Sequence, residues 1–188
     1  MYWLISGVVL WSAIHFLPTL GVGIRNRLIE KMGDSQYRGV FSLVVVASLT
    51  LIVIGWRSTP EVLLYQLPAW SRPVGLLLMI FAFVLFGAAH HSTAIKRFVR
   101  HPQLASVIVW SASHLLTNGS TRALVLFGGL CLWALLEIPL INAREGAYEK
   151  PPAPGWKTET KGLAISAVIF IVAMLLHPYF AGVSPIPR

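Results

Sequence analysis

The chain is poor in charge, poorest in acid, and nearly without cysteine. Of its 188 residues 12% are charged, and only seven are Asp or Glu. A soluble domain of this length carries about twice that charged fraction, so an ordinary water-soluble globule is excluded. The one cysteine, Cys131, stands in an apolar stretch and rules out an intrachain disulfide. No Cys-x-x-Cys or Cys-x-x-Cys-His occurs, which excludes a covalently attached c-type haem. Cys131 therefore reads as a small buried apolar residue. The N-terminus lacks a basic leading segment and a small-residue cleavage site, so its apolar run reads as a retained first helix. No internal repeat stands out beyond the general helical pattern.

What is there is hydrophobicity in long runs. Apolar residues make up 56% of the chain, and mean hydropathy is +0.71. Charge-free runs cover 1–24, 39–56, 73–95, 101–121, 123–136 and 162–187. Trimmed at turn and basic signals, they predict helices near 2–21, 39–56, 73–92, 103–117, 122–141 and 162–180. The expected fold is all-α: one domain over 1–188, a polytopic transmembrane bundle of about six helices. The fourth is short, about 22 Å at 1.5 Å per residue. Ser106, Ser111, Ser113 and Thr117 make it polar for a lipid-facing helix, so it is expected inside the bundle, its hydroxyls bonding a neighbour or its own carbonyls. Asn118-Gly119 then turns the chain into the fifth helix.

The basic residues orient the bundle. Arg25, Arg27, Lys31, Arg38, Lys96, Arg97, Arg100, Arg144, Lys150, Lys157 and Lys161 fall in alternate loops on one side; Arg57, Arg72, Arg122 and Arg188 fall on the other. The positive-inside rule puts the first group in the cytoplasm and both termini on the periplasmic side of a bacterial inner membrane. The net charge of +8 is thereby explained by orientation, which argues against nucleic acid as a partner and for the lipid bilayer. Residues 57–72, with Trp56 and Trp70, read as an external loop with interfacial anchors. Residues 142–161, with Pro151, Pro152 and Pro154, read as an extended cytoplasmic linker.

Six histidines then stand out by depth. His15 lies about 9–12 Å below the cytoplasmic surface and His114 near the midplane, about 15 Å from it. An ionisable ring at such depth is costly and faces the bundle interior with a partner or a task. Two imidazoles on separate helices suit a haem iron, the macrocycle filling an apolar slot and its propionates meeting cations such as Arg25, Arg38, Arg97 and Arg100. His15 and His114 are the candidate axial ligands, with His101 or His90 replacing His114 if the haem sits higher. Trp110, one turn before His114, shares its face and can wall the pocket. His90 and His91 point about 100° apart, and His177 reads as interfacial. Glu137, the sole acid well inside an apolar run, can pair with a cytoplasmic Arg or with a histidine N–H.

The run RHPQLASVIVWSASHLLTNG from Arg100, followed by RALVLFGGLCLWAL, resembles the signature of the NnrU family of membrane proteins. His15 and the entry to the second helix at Tyr37-Arg38 extend the resemblance over most of the chain. It implies an association with nitrite and nitric oxide metabolism in denitrifying bacteria and with proteins of that metabolism. The family also includes the 15-cis-zeta-carotene isomerase, which carries haem b on histidines. That relation implies His15 and one histidine of 100–114 as haem b ligands and a small apolar substrate. Glu137 and the Pro-rich 151–154 segment depart from the family's usual pattern.

A different class is kept beside this one. Arg100-His101-Pro102 resembles the RHP element of membrane methyltransferases, where the histidine adjoins an S-adenosylmethionine pocket; Glu145-Gly146-Ala147-Tyr148-Glu149 echoes their later motif, without its acidic doublet. A third reading is a non-catalytic membrane component whose histidines pack or serve assembly.

Overall fold

The charge-free runs become helices in the computed structural model, which describes residues 1–185. In chain order these are α1 (Tyr2–Leu20), α2 (Val22–Met32), α3 (Asp34–Ser58), α4 (Ser71–His90), a 3-10 turn (Ala94–Arg97), α5 (Pro102–Leu115), α6 (Thr121–Glu145) and α7 (Trp156–Ala181). Five of them, α1, α3, α4, α6 and α7, are long and apolar enough to cross a membrane. The outer surface is that of a protein solvated by lipid: Leu43, Leu77 and Leu175 are 70%, 66% and 64% exposed. The chain is a multi-pass membrane protein.

Three elements differ from the sequence expectation. Residues 22–32, expected as basic loop, form the helix α2, whose Ile24, Leu28 and Ile29 alternate with Arg25, Arg27, Glu30 and Lys31. That pattern suits a helix lying in the headgroup layer. Gly33, at φ 84°, breaks it from α3, a backbone conformation that favours glycine. α3 and α7 begin several residues before their apolar runs, at Asp34 and Trp156. Charge ends a membrane span without ending a helix. α5 has 14 residues, about 21 Å, and is too short to count with the five.

The helices meet through small residues, as expected where lipid removes the hydrophobic drive for helix association. Gly7 of α1 faces Ile52 and Ser48 of α3, and Gly55 faces Leu4. α5 runs back along α4, with Ser113 Oγ donating to Gly75 O at 2.7 Å. Ser106 bonds Gln103 O and Thr117 bonds Ser113 O, while the buried Ser111 Oγ has no hydrogen-bond partner among the described residues. α6 fits between α1 and α5, with Val8 against Gly129. α7 lies on α4 along a seam of Gly87 against Ser166 and Gly162 against His91; a Cβ on Gly162 would overlap that ring.

Side chains tie the two ends. At one end Trp56 Nε1 donates to Ala181 O at 3.0 Å, Arg122 pairs with Glu61 at 2.6 Å, and Tyr65 Oη donates to Leu115 O at 2.7 Å. At the other, Arg144 reaches Pro18 O at 3.4 Å, Tyr148 Oη donates to Lys96 O at 2.7 Å, and Glu159 accepts from Thr93 Oγ1 and Ala94 N. The segments bearing the eleven grouped cations gather at this second end. Arg188 lies outside the described residues.

Candidate functional site

Two helices carry the same pentapeptide. Trp11-Ser12-Ala13-Ile14-His15 on α1 and Trp110-Ser111-Ala112-Ser113-His114 on α5 both read Trp-Ser-Ala-x-His. The expectation of no internal repeat overlooked it. In each copy the histidine Nδ1 bonds the tryptophan carbonyl four residues back, at 2.8 Å for His15 and 2.9 Å for His114. A carbonyl only accepts, so Nδ1 carries the proton and Nε2 keeps its lone pair. The ring of each histidine lies against its own tryptophan, at 4.2 Å and 4.7 Å.

The copies run in opposite directions, so their tryptophans come to the middle and their histidines to opposite ends. Between them is a cleft of about 370 Å³ lined by Trp11, Trp110, Trp133, Phe83, Phe86 and Leu130 among others, with Ser106 its one polar wall residue. All five of α1, α4, α5, α6 and α7 contribute. Such a pocket, apolar with polar groups only at its margins, suits an apolar ligand.

The ends differ. His15 meets the edge of Trp133 at 5.1 Å and Phe41 at 5.6 Å. Trp11, His15 and Thr19 follow at intervals of four and so share a face, opposite Trp133 and Glu137 of α6. Thr19 and the Trp133 indole lie beside the Glu137 carboxyl. Glu137 is 5% exposed. Its Oε2, Trp11 Nε1, Trp133 Nε1 and the nearby Tyr37 Oη make no well-formed hydrogen bond. Each such buried orphan costs about 1–3 kcal/mol. Among the described residues Glu137 has no ion pair, so the expected pairing with an arginine is not made; Arg144 engages Glu145 and Pro18 instead.

At the other end His114 stacks on Phe127 at 4.2 Å and 19°. Phe127 sits on a π-turn, Leu124–Gly128, inside α6; such turns carry one residue more than an α-helix needs and recur at functional sites. His177 of α7, expected as a bystander, brings its ring to 6.5 Å from His114 with the planes 19° apart. Its Nδ1 is held by Val183 O at 2.8 Å.

These positions test the fit of a haem. One iron between two imidazoles sets the ring centroids about 6 Å apart, from metal–nitrogen bonds of about 2 Å. His15 touches Trp133 and His114 touches Phe127, a separation of about 9 Å along α6 alone at 1.5 Å per residue. The contacts of the two rings are thus spaced wider along α6 than the two ligands of one iron. The alternative His101 has its Nε2 2.9 Å from Asn142 Oδ1. Among the described residues no three His, Cys, Asp or Glu gather as a metal site.

Arg100 is placed apart from the cleft. It donates to Gly146 O at 2.7 Å, pairs with Glu145 at 3.3 Å and lies 5.2 Å over the Tyr148 ring. The Arg100-His101-Pro102 element and the 145–149 segment thus meet. Of the sequence candidates, Trp110 lines the cleft with His114 against it on the same helix, His15 lies behind the wall residues Trp11 and Trp133, and Arg100 and His101 belong to a separate contact. Sequence reasoning missed Trp11, Trp133 and His177; the repeated pentapeptide and the Trp133–Glu137 spacing of four were the available signals for the first two.

Fold and site together define a multi-pass membrane protein with an aromatic-walled cleft inside its bundle. The chain belongs to the NnrU family, whose model, described as NnrU protein, matches residues 3–185. No curated protein and no solved structure matches it.

Proposed function

We propose that the chain holds an elongated apolar molecule within the bilayer, in the cleft between its two Trp-Ser-Ala-x-His segments. The observation behind this reading is the cleft of about 370 Å³ with Trp11, Trp110 and Trp133 as walls. Isomerisation of an apolar substrate is the implied activity for which such a cleft offers a place. The link to nitrite and nitric oxide metabolism comes with the family alone and rests on no residue of the cleft. The same proposal takes α5 as a sixth, short pass, with both termini periplasmic and the basic loops in the cytoplasm of a bacterial inner membrane.

The test is tryptophan-to-polyene energy transfer in nanodiscs, using the retinoid hydrocarbon without an oxygen. Saturable transfer lost in Leu130→Trp, which fills the cleft, is expected. Transfer that only tracks the polyene's mole fraction and is the same in Leu130→Trp would overturn the reading.

For haem b the spacing favours His114 with His177, whose 6.5 Å separation is near that of two imidazoles on one iron. A spectrum of protein expressed with ample haem decides. Sharp reduced α and β bands that survive His15→Ala but not His177→Ala favour this pair, and bands lost in His15→Ala refute it.

A second reading has its own observation, the contact of Arg100 with Glu145 and Tyr148. It is an S-adenosylmethionine site of a membrane methyltransferase. Equilibrium binding of tritiated S-adenosylmethionine, lost in Arg100→Ala, supports it; absence of binding removes it. A chain that binds neither polyene, haem nor S-adenosylmethionine is left as a non-catalytic assembly component.

A further inference from the structure

Glu137 is the anomaly of the bundle. A carboxyl that is 5% exposed, in a helix apolar enough to cross a membrane, ordinarily has an ion-pair partner. None is present among the described residues, and Oε2 is unbonded. Around it stand further unmatched groups of both kinds. Trp11 Nε1 is a buried donor without an acceptor, and Trp133 Nε1, though beside the Glu137 carboxyl, makes no well-formed bond to it. His15 Nε2 is an acceptor, its ring tautomer fixed through Nδ1. The three rings lie within 4.2 to 5.6 Å of one another, yet the donors and acceptors do not satisfy each other.

Trp11 and Trp133 also wall the cleft. A buried carboxyl and two indole N–H groups without well-formed bonds therefore cluster at one end of the apolar space; at the other end His114 likewise offers an open Nε2, but it stacks on the Phe127 ring.

We infer that this cluster reads the polar end of the cleft's ligand, and that the ligand is a hydrocarbon chain ending in a hydroxyl. A hydroxyl accepts from an indole N–H while donating to Glu137 or His15, so it matches both kinds of orphan at once. An ammonium end would satisfy Glu137 and leave two N–H donors facing another donor. A carboxylate end would set two carboxyl groups side by side. This inference rests on the cleft being the binding site.

The experiment compares retinol with the matching hydrocarbon lacking the hydroxyl, by energy transfer in nanodiscs. Wild type is expected to prefer retinol by about tenfold, the effect of one or two well-made hydrogen bonds. Glu137→Leu should abolish the preference and keep hydrocarbon binding. Trp133→Phe, which keeps a ring and removes the N–H, should reduce it, and thermal melting checks that both variants fold. Equal binding of the two ligands by wild type means that water fills the cluster, and overturns the inference while leaving the cleft reading intact. A preference undiminished in both variants overturns it as well. If neither ligand binds, the cleft reading fails and takes this one with it.

Discussion

The two Trp-Ser-Ala-x-His segments are the same five-residue device in different surroundings. Each locks its imidazole through Nδ1 and offers Nε2. On α1 the device faces Trp133 and Glu137, with donors and acceptors left open; on α5 it faces Phe127 and His177, where rings stack. The pentapeptide sets tautomer and rotamer. The helix opposite sets what the lone pair meets, and so the two ends of one cleft acquire different chemistry.

Exchanging the surroundings breaks the comparison most severely. Phe127→Glu copies the acidic end beside His114, but buries a carboxyl in an apolar cluster and removes the stacked ring. A loss of about 3–5 kcal/mol is expected, seen as a lower melting temperature in detergent. The opposite change, Glu137→Leu, removes an orphan and should stabilise by about 1–3 kcal/mol in the same assay; a destabilised Glu137→Leu would mean the carboxyl is well satisfied. Next comes the pair His15→Ala and His114→Ala. Retinol preference should fall about threefold in the first, one hydrogen bond to an imidazole, and stay put in the second; equal loss in both would make the ends equivalent. The smallest effect is Thr19→Val, which removes the hydroxyl beside Glu137 and should change the preference less than about twofold.

Much of this fold was legible because membrane spans are written in runs of uncharged residues. The runs located α1, α3, α4, α6 and α7, and the hydroxyls of 106–117 correctly put α5 inside. They concealed α2, whose arginines interrupt the hydrophobicity but not the helix, and they set the starts of α3 and α7 too late. For the site, depth singled out His15 and His114 but not their facing partners. Helix rotation decides that, and it follows from close contacts such as Gly55 on Leu4 and Gly129 on Val8. His177 reaches His114 because α7 is hooked at its end by Trp56 and Arg57, a link between residues more than 120 positions apart.

One wall of the cleft bears on how it is supplied. Ile169 of α7 lines the cleft and is itself 36% exposed on the bundle's flank, and α7 is held to α4 by a seam of small residues between its tied ends. The cleft therefore borders the hydrocarbon of the membrane, and water is not the solvent from which a ligand departs. Occupancy is then governed by the ligand's mole fraction in lipid, and any affinity expressed per litre of buffer will change with the amount of bilayer in the tube.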